Sequence, residues 1–425
     1  MSIKHKFSNN MHSTALHQKV SELSKLDLLE RANQFIFSTG LNDGTSKLCK
    51  ANMKYGLAQF QIIQEKYGFE PKATFISSPD ETISRNKYRW NSGLGYGGRL
   101  NWGDGNEKII FLNVKPNCCG ILVGGLEELP DPFDLIRKID KIKSQELYLN
   151  KVLINWDYGI SNHFINCFET KKLSDIDLPP YIFLIHGSAP EFRDDKYGGI
   201  GLYIDKSKTL KEMAKEEHTK FGIQHILLDS DAKAYLKFHK KALEFSNKKR
   251  ETIANHLFDY GYKVICNQPH QFLKDYNNMY LGSNCTDINC KLITSNLFPT
   301  TLRADIAAYL FKGKKNLTEI TLKNQDLYER GKDLELLELL MNAFILPHGG
   351  GYDFRDVKDV LDVLEYKDQR YFVTSLKSNI SRLKIIRNVG ELQFEYRGRD
   401  IVLKTIQLDL GDIIARLNPL FSLKL

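Results

Sequence analysis

From about residue 88 onward the chain is a succession of short β-type runs separated by loops, and this texture constrains its fold more than any other feature. The runs are Lys108 to Val114, Ile121 to Val123, Lys151 to Ile154 and Tyr181 to Ile185. Because they alternate with loops rather than with regular helices, they predict an α+β architecture and not a doubly wound sheet. Gly93, Gly95, Gly97, Gly98, Gly103 and Gly105 crowd the stretch just before them, beside Trp90 and Trp102. Ahead of that stretch, residues from about 13 to 67 read as two helices. Ser13-Thr14 can cap the first, whose apolar positions Leu16, Val20, Leu23, Leu26, Leu29 and Ala32 recur at three- and four-residue steps. Gly40 and Gly44 punctuate the join to the second, Ser46 to Tyr67. No chemistry-bearing pattern stands out there. Residues 1–87 therefore read as an N-terminal helical extension and residues 88–425 as one large domain, a β-sheet core with flanking helices.

Composition narrows the class. With 42% hydrophobic and 26% charged residues over 425 positions, the chain has ample material for a globular core. No apolar run reaches the length of a membrane span, and Met1-Ser2-Ile3-Lys4-His5-Lys6 leads into polar residues without the apolar stretch of a secretory signal. Seven cysteines without a regular framework fit reduced thiols, hence a cytoplasmic protein. A net charge of +8 permits a nucleic-acid or nucleotide partner without requiring one.

A long helix is expected from Asp231 to about Asp259, basic on one side with Lys237, Lys240, Lys241, Lys248, Lys249 and Arg250. Such a face is ordinarily solvated; contact with RNA is the alternative. Another helix, Asp333 to about Phe344, is expected to lead into Leu346-Pro347-His348-Gly349-Gly350-Gly351-Tyr352. A histidine followed by three glycines stands beside backbone without side chains, which another molecule can approach closely. That suits a histidine attacking a phosphate or one binding a metal; an ordinary glycine-rich turn has the same sequence. Three further histidines adjoin strand ends or glycines: His163 in Ser161-Asn162-His163-Phe164-Ile165, His186 before Gly187-Ser188, and His270 after Gln268-Pro269. Together with a thiolate from Asn117-Cys118-Cys119-Gly120 they could form a metal site, although each cysteine could equally be a small buried hydrophobe.

In this order and spacing, the motifs resemble those of the RtcB family of GTP- and manganese-dependent RNA ligases. The glycine-rich Trp90 to Gly98 stretch is similar to the family's entry segment. Asn117-Cys118-Cys119-Gly120 resembles its Asp-x-x-Cys-Gly metal motif, Asn162-His163-Phe164 its Asn-His-Phe motif, and His186-Gly187-Ser188 its next histidine turn. The helix with Tyr235 and Asn247 follows in family order, then His270. His348-Gly349-Gly350 resembles the motif whose histidine becomes guanylylated, and Leu417-Asn418-Pro419-Leu420 through Lys424 the closing pattern.

The resemblance implies an RtcB-like catalytic domain with a metal site in a cleft. Cys119 would bridge two manganese ions completed by His163, His186 and His270, a donor set that also suits zinc. His348 would attack the α-phosphate of GTP, with Asn162, Gly349, Gly350 and Lys424 holding the nucleotide. The GMP would then activate an RNA 3′-phosphate, or an opened 2′,3′-cyclic phosphate, for attack by a 5′-hydroxyl, as in RNA repair or tRNA splicing.

Several positions depart from the family pattern. Pro116 stands where the metal aspartate is expected, Asn166 where an acidic residue follows Asn162, and Gln271 where an asparagine follows the third histidine. Ala189-Pro190-Glu191 replaces an arginine-bearing turn, and Pro299-Thr300-Thr301-Leu302 lacks the glycines expected before the nucleophile. Asp287-Ile288-Asn289-Cys290 spells an Asp-x-x-Cys pair, but out of family order. An esterase reading of the histidine-glycine motif fails, since no Gly-x-Ser-x-Gly elbow follows residue 351. A catalytically degenerate RNA-end binder and a metal-dependent phosphodiesterase remain as alternative readings.

Overall fold

The computed structural model describes residues 18–379 and 381–425. Its centre is an 11-stranded sheet. In chain order its strands are β1 (Ile36–Phe37), β2 (Thr74–Thr82), β3 (Tyr96–Asn101), β4 (Cys119–Leu126), β5 (Phe164–Lys172) and β6 (Tyr181–Gly187). They continue with β7 (Lys263–Leu273), β8 (Asn278–Leu281), β9 (Leu297–Thr300), β10 (Ala308–Gly313) and β11 (Gly411–Leu423). Across the sheet the order is β1-β2-β3-β8-β7-β4-β6-β5-β11-β10-β9. Every pairing is antiparallel except β1 with β2. The molecule is thus α+β, with the large sheet and flanking helices expected from its short β runs. The central strands β4 and β6 read as almost continuous apolar segments because apolar side chains cover both of their faces.

The N-terminal region departs from a purely helical reading. Ser13, Thr14 and Leu16 lie outside the described residues. Helix α1 (Lys25–Gln34) begins at Ser24, whose hydroxyl accepts the Asp27 N–H at 3.2 Å. Helix α2 (Gly44–Lys66) follows, capped by Asp43. After the helices the chain enters the sheet: β2 pairs along β3, and Leu28, Phe35, Phe37, Leu57 and Phe60 share one core with Phe75, Leu100 and Trp102. The strand-favouring residues Thr74-Phe75-Ile76 carried this signal; the polar tail, Ser77 to Thr82, hid the rest.

Other elements are shorter or longer than their sequence suggests. The run Lys108 to Val114 is extended only over Ile109–Phe111 and then closes into one 3₁₀ turn. The helix expected over 333–344 is two short helices, Tyr328–Asp333 and Leu337–Met341, separated by Glu335 at φ 58°. The long basic helix is real. It is α4 (Asp229–Phe258), which lies across β4, β6 and β7 and packs beside α3 (Pro132–Ser144). Its inner face is not only apolar: Lys249 and Arg250 are buried there, so the basic residues do not all belong to one solvated side.

Candidate metal centre

Four adjacent strands, β7, β4, β6 and β5, each bring one donor to the same end of the sheet. His270 lies in β7, Cys119 opens β4, His186 lies in β6, and His163 immediately precedes β5. Register makes them neighbours: Gln271 pairs with Cys119, Ile121 with His186, and Phe164 with His186. Cys119 Sγ is 3.0 Å from His186 Nε2 and 3.4 Å from His163 Nε2, and His186 Nε2 is 3.2 Å from His270 Nε2. In a tetrahedral site the donor atoms lie about 3.3 Å (N to N) and 3.6 Å (N to S) apart, given metal bonds near 2.05 and 2.3 Å. The spacing fits. Cys119, His163 and His186 form a buried group that could hold a metal ion, and His270 stands at its edge.

The neighbouring cysteine has a different fate. Cys118 has φ 60°, so the chain turns over between the two, and Cys118 enters the apolar core where burial pushes its thiol up. Burial also opposes ionisation of Cys119. The imidazoles of His186, His163 and His270 overcome that and hold its thiol well below the ordinary value, as a metal-binding thiolate requires.

The far ring nitrogens of two ligands are anchored. His186 Nδ1 lies 2.9 Å from the carbonyl oxygen of Asn162, and His163 Nδ1 lies 2.8 Å from Asp157 Oδ2. These partners fix the rings with Nε2 facing the cluster. Burial works against a charged His163, but the Cys119 thiolate and Asp157 outweigh it and raise the imidazole to about 10. Among the described residues His270 has no partner on its Nδ1: burial, then the His348 charge, lower it to about 3 although Cys119 opposes them. Burial likewise opposes the Asp157 carboxylate, and Lys249 with His163 keeps it well below the usual range. Lys249, wholly buried, bonds Asp157 Oδ1 at 2.9 Å, Glu191 Oε1 at 2.9 Å and the Asn155 carbonyl at 2.7 Å.

His348 stands beside this cluster, its ring 4.4 Å from that of His270 between centroids. Its Nδ1 lies 2.8 Å from Oδ2 of the fully buried Asp80, near the C-terminal end of β2. The preceding strand, Ile345–Pro347, pairs with Ser283–Cys285, and the Thr301 N–H donates to the His348 carbonyl at 3.0 Å. The glycines have a structural reason of their own. A Cβ on Gly350 would come 2.5 Å from the Arg397 carbonyl, and one on Gly351, at φ 63°, would come 2.4 Å from that of Asp80. Protein backbone, rather than another molecule alone, demands them. Asp43, the cap of α2, grips Arg397 with two bonds of 2.7 and 2.8 Å, so the N-terminal helices brace this turn.

Two clefts meet at the centre. One, of about 180 Å³, is lined by His348, Gly349, Gly350, Asn162, His186 and Lys424. The other, of about 670 Å³, is polar and basic, with Arg85, Arg89, Lys115, Arg193 and Lys206 near His163 and Asp157. Tyr96, Asn162 and Tyr352 line both, so they are continuous. Cys119 and His270 lie beneath. No family model matches the chain, and no curated protein matches it.

The departures noted in the sequence acquire locations. Pro116 offers no donor, and the Asn117 side chain accepts the Cys119 N–H at 2.9 Å instead of facing the thiolate. Asn166 lines the smaller cleft and accepts from Ser422 at 2.6 Å. Asp287 pairs with Lys274 at 2.6 Å, and Cys290 neighbours Cys285, so that pair stands apart from the cluster. Glu191 belongs to the buried Lys249 network, while an arginine two residues later, Arg193, reaches the larger cleft. Sequence reasoning missed Asp80, Asp157 and Lys249. Asp157, six residues before His163, was the most findable; Asp80 sits in the polar half of β2, which shows no strand pattern of its own.

Proposed function

We propose that the chain is a metal-dependent RNA ligase that joins a 3′-phosphate end to a 5′-hydroxyl end through a nucleotide carried on His348. The observation that supports this best is the conjunction at His348: a buried carboxylate on Nδ1, a glycine-lined cavity beside the ring, and a thiolate-imidazole donor cluster next to it. Asp80 holds the ring proton on Nδ1, leaving the Nε2 lone pair for attack. His348 Nε2 bonds to the α-phosphorus of GTP and pyrophosphate departs. The GMP passes to the RNA 3′-phosphate, and the 5′-hydroxyl displaces it to close the phosphodiester. A 2′,3′-cyclic phosphate is first opened by water to the 3′-phosphate.

Cys119, His163, His186 and His270 would hold the ion, manganese by resemblance and zinc by donor type. Bound there, it would supply positive charge against the phosphates. Asn162, Gly349, Gly350 and Lys424, all on the smaller cleft, would take the guanine nucleotide. The larger basic cleft would take the RNA end. With Asn117 turned away and Pro116 lacking a donor, the cluster suits one ion better than two.

The test is incubation with manganese and GTP labelled at the α-phosphate. Acid-labile, alkali-stable label should appear on the wild type and not on His348→Ala. Asp80→Asn, which keeps a hydrogen bond and loses the charge, should slow labelling by about 10²-fold or more. Absence of label from a wild type shown to carry its metal would overturn the ligase. The polar cleft beside the cluster favours one second reading, a metal-dependent phosphodiesterase. It would cleave RNA without GTP and survive His348→Ala.

A further inference from the structure

Helix α4 carries a row of lysines on its outer face. Lys233, Lys237, Lys240, Lys241 and Lys248 are all exposed, and among the described residues none forms an ion pair with an acidic side chain. Glu244 is the one acidic residue within the row, and it pairs with none of them. Fifteen residues separate the ends, so the row is about 22 Å long at 1.5 Å per residue. Like charges stand at i,i+4 (Lys233 and Lys237, Lys237 and Lys241) and at i,i+3 (Lys237 and Lys240), spacings at which they repel. A merely solvated face is usually laced with opposite charges at these spacings. This one is not.

The row also has a direction. At 100° per residue, Lys241, Lys248 and Lys237 lie about 60 to 100° round the helix from Phe238. Phe238 and its neighbour Phe245 hold the loop after β6: Phe192 packs on them with ring centroids 5.9 and 5.0 Å apart. Gly198 of that loop sits so close to Phe238 that a Cβ would lie 2.9 Å from its ring. The same loop presents Arg193 and Lys206 to the large cleft beside His163. Lys196, between them in sequence, is exposed, and neither it nor Lys206 is ion-paired among the described residues. The loop also carries Asp194, Asp195 and Asp205, so it joins the cleft to the outer face of α4 in space and not as an unbroken strip of positive charge.

We propose that this row binds the phosphate backbone of the substrate RNA beyond its reacting end, so that the protein engages the body of a structured RNA and not the terminus alone. The inference rests on the ligase reading for its partner. An extended polyanion matches a long cationic row that forms no ion pairs among the described residues, and because the loop lining the cleft packs directly on this helix, one RNA whose end lies at His348 can reach the row.

The test uses full-length protein and Lys237→Gln/Lys240→Gln/Lys241→Gln/Lys248→Gln, with four probes. These are a hairpin RNA ending in a 3′-phosphate, a tetranucleotide with the same end, vesicles of anionic phospholipid, and GTP labelled at the α-phosphate. Each phosphate contact contributes about 0.7 to 0.9 to the slope of log K against log salt. The variant should bind the hairpin with a slope shallower by about 3 and at least ~10-fold more weakly at low salt. Tetranucleotide binding and nucleotide labelling of His348 should be unchanged. An unaltered hairpin slope overturns the proposal while leaving the ligase reading intact. So does lysine-dependent binding to vesicles with none to the hairpin. Loss of label in the wild type counts against the ligase, whatever the hairpin data show.

Discussion

The two faces of helix α4 use the same residue type for opposite purposes. On the inner face, the Lys249 ammonium is wholly buried and all three of its protons are taken, by Asp157, Glu191 and the Asn155 carbonyl. On the outer face, one helical position away, Lys248 begins a row whose charges meet only solvent among the described residues. Sequence cannot distinguish them, since both belong to Asn247-Lys248-Lys249-Arg250. Packing can. Lys249 turns towards the sheet end where the metal ligands gather, and it fixes the carboxylate that fixes His163. From thiolate to imidazole to carboxylate to ammonium, charge alternates along that path, and each step is within hydrogen-bond reach. A buried lysine is the end of a network; an exposed one is an invitation to a partner.

The largest effect that would break this contrast comes from Lys249→Met. Removing the ammonium leaves Asp157 and Glu191 buried without their cation, a loss of about 3 to 5 kcal/mol in urea unfolding at neutral pH. Glu191 has a reserve that Asp157 lacks: burial raises it despite Lys249, so it can take a proton when the charge is gone. The added changes Asp157→Asn and Glu191→Gln should therefore recover most of the loss. If Lys249→Met alone costs less than about 1 kcal/mol, the inner lysine is no more structural than the outer ones.

What the sequence revealed follows the same division. The α+β class, the long helix and the second N-terminal helix were legible because periodicity over many residues is a local property. The histidines and Cys119 were legible singly because each sits at a strand end or beside glycine, where chemistry is commonly displayed. Their partners were not. Asp80 reaches His348 across 268 positions of chain, and Lys249 reaches Asp157 across 92, separations that only strand order brings together. Asp80 was obscured further because β2 follows two convincing helices and its polar half does not alternate.

A second inner-face residue sharpens the contrast through pH. His239 is fully buried on α4; its Nε2 accepts the Leu273 N–H at 3.3 Å, and burial, assisted by the nearby Lys240 charge, lowers it to about 3. Folded chains thus keep it neutral, while unfolded chains protonate it near 6.5. As pH falls through 6.5 the unfolded state gains a proton that the folded state refuses, and stability drops. Between pH 7 and pH 5 this one group should remove about 2 kcal/mol. His239→Gln, which keeps an acceptor for Leu273, should lose that much less over the same interval. Equal pH dependence in the two proteins would mean that His239 is protonated in the fold.

The smallest expected effect belongs to the outer face. Replacing Lys237, Lys240, Lys241 and Lys248 together by glutamine removes three close like-charge spacings counted along the row with Lys233, and glutamine is a good helix former. Some helpful charge is lost too, since Glu244 precedes Lys248 by four positions. These opposing changes should leave unfolding stability within about 0.5 kcal/mol of wild type. A small gain is favoured at low salt, where repulsion is least screened, and it should vanish as salt rises. Loss of more than about 1 kcal/mol would show that the lysine stems cover apolar surface and belong to the fold. The two faces would then differ in degree only. Stability that stays level while RNA binding weakens would instead assign the outer charges to a partner, because a fold does not maintain repulsion that it gains nothing from.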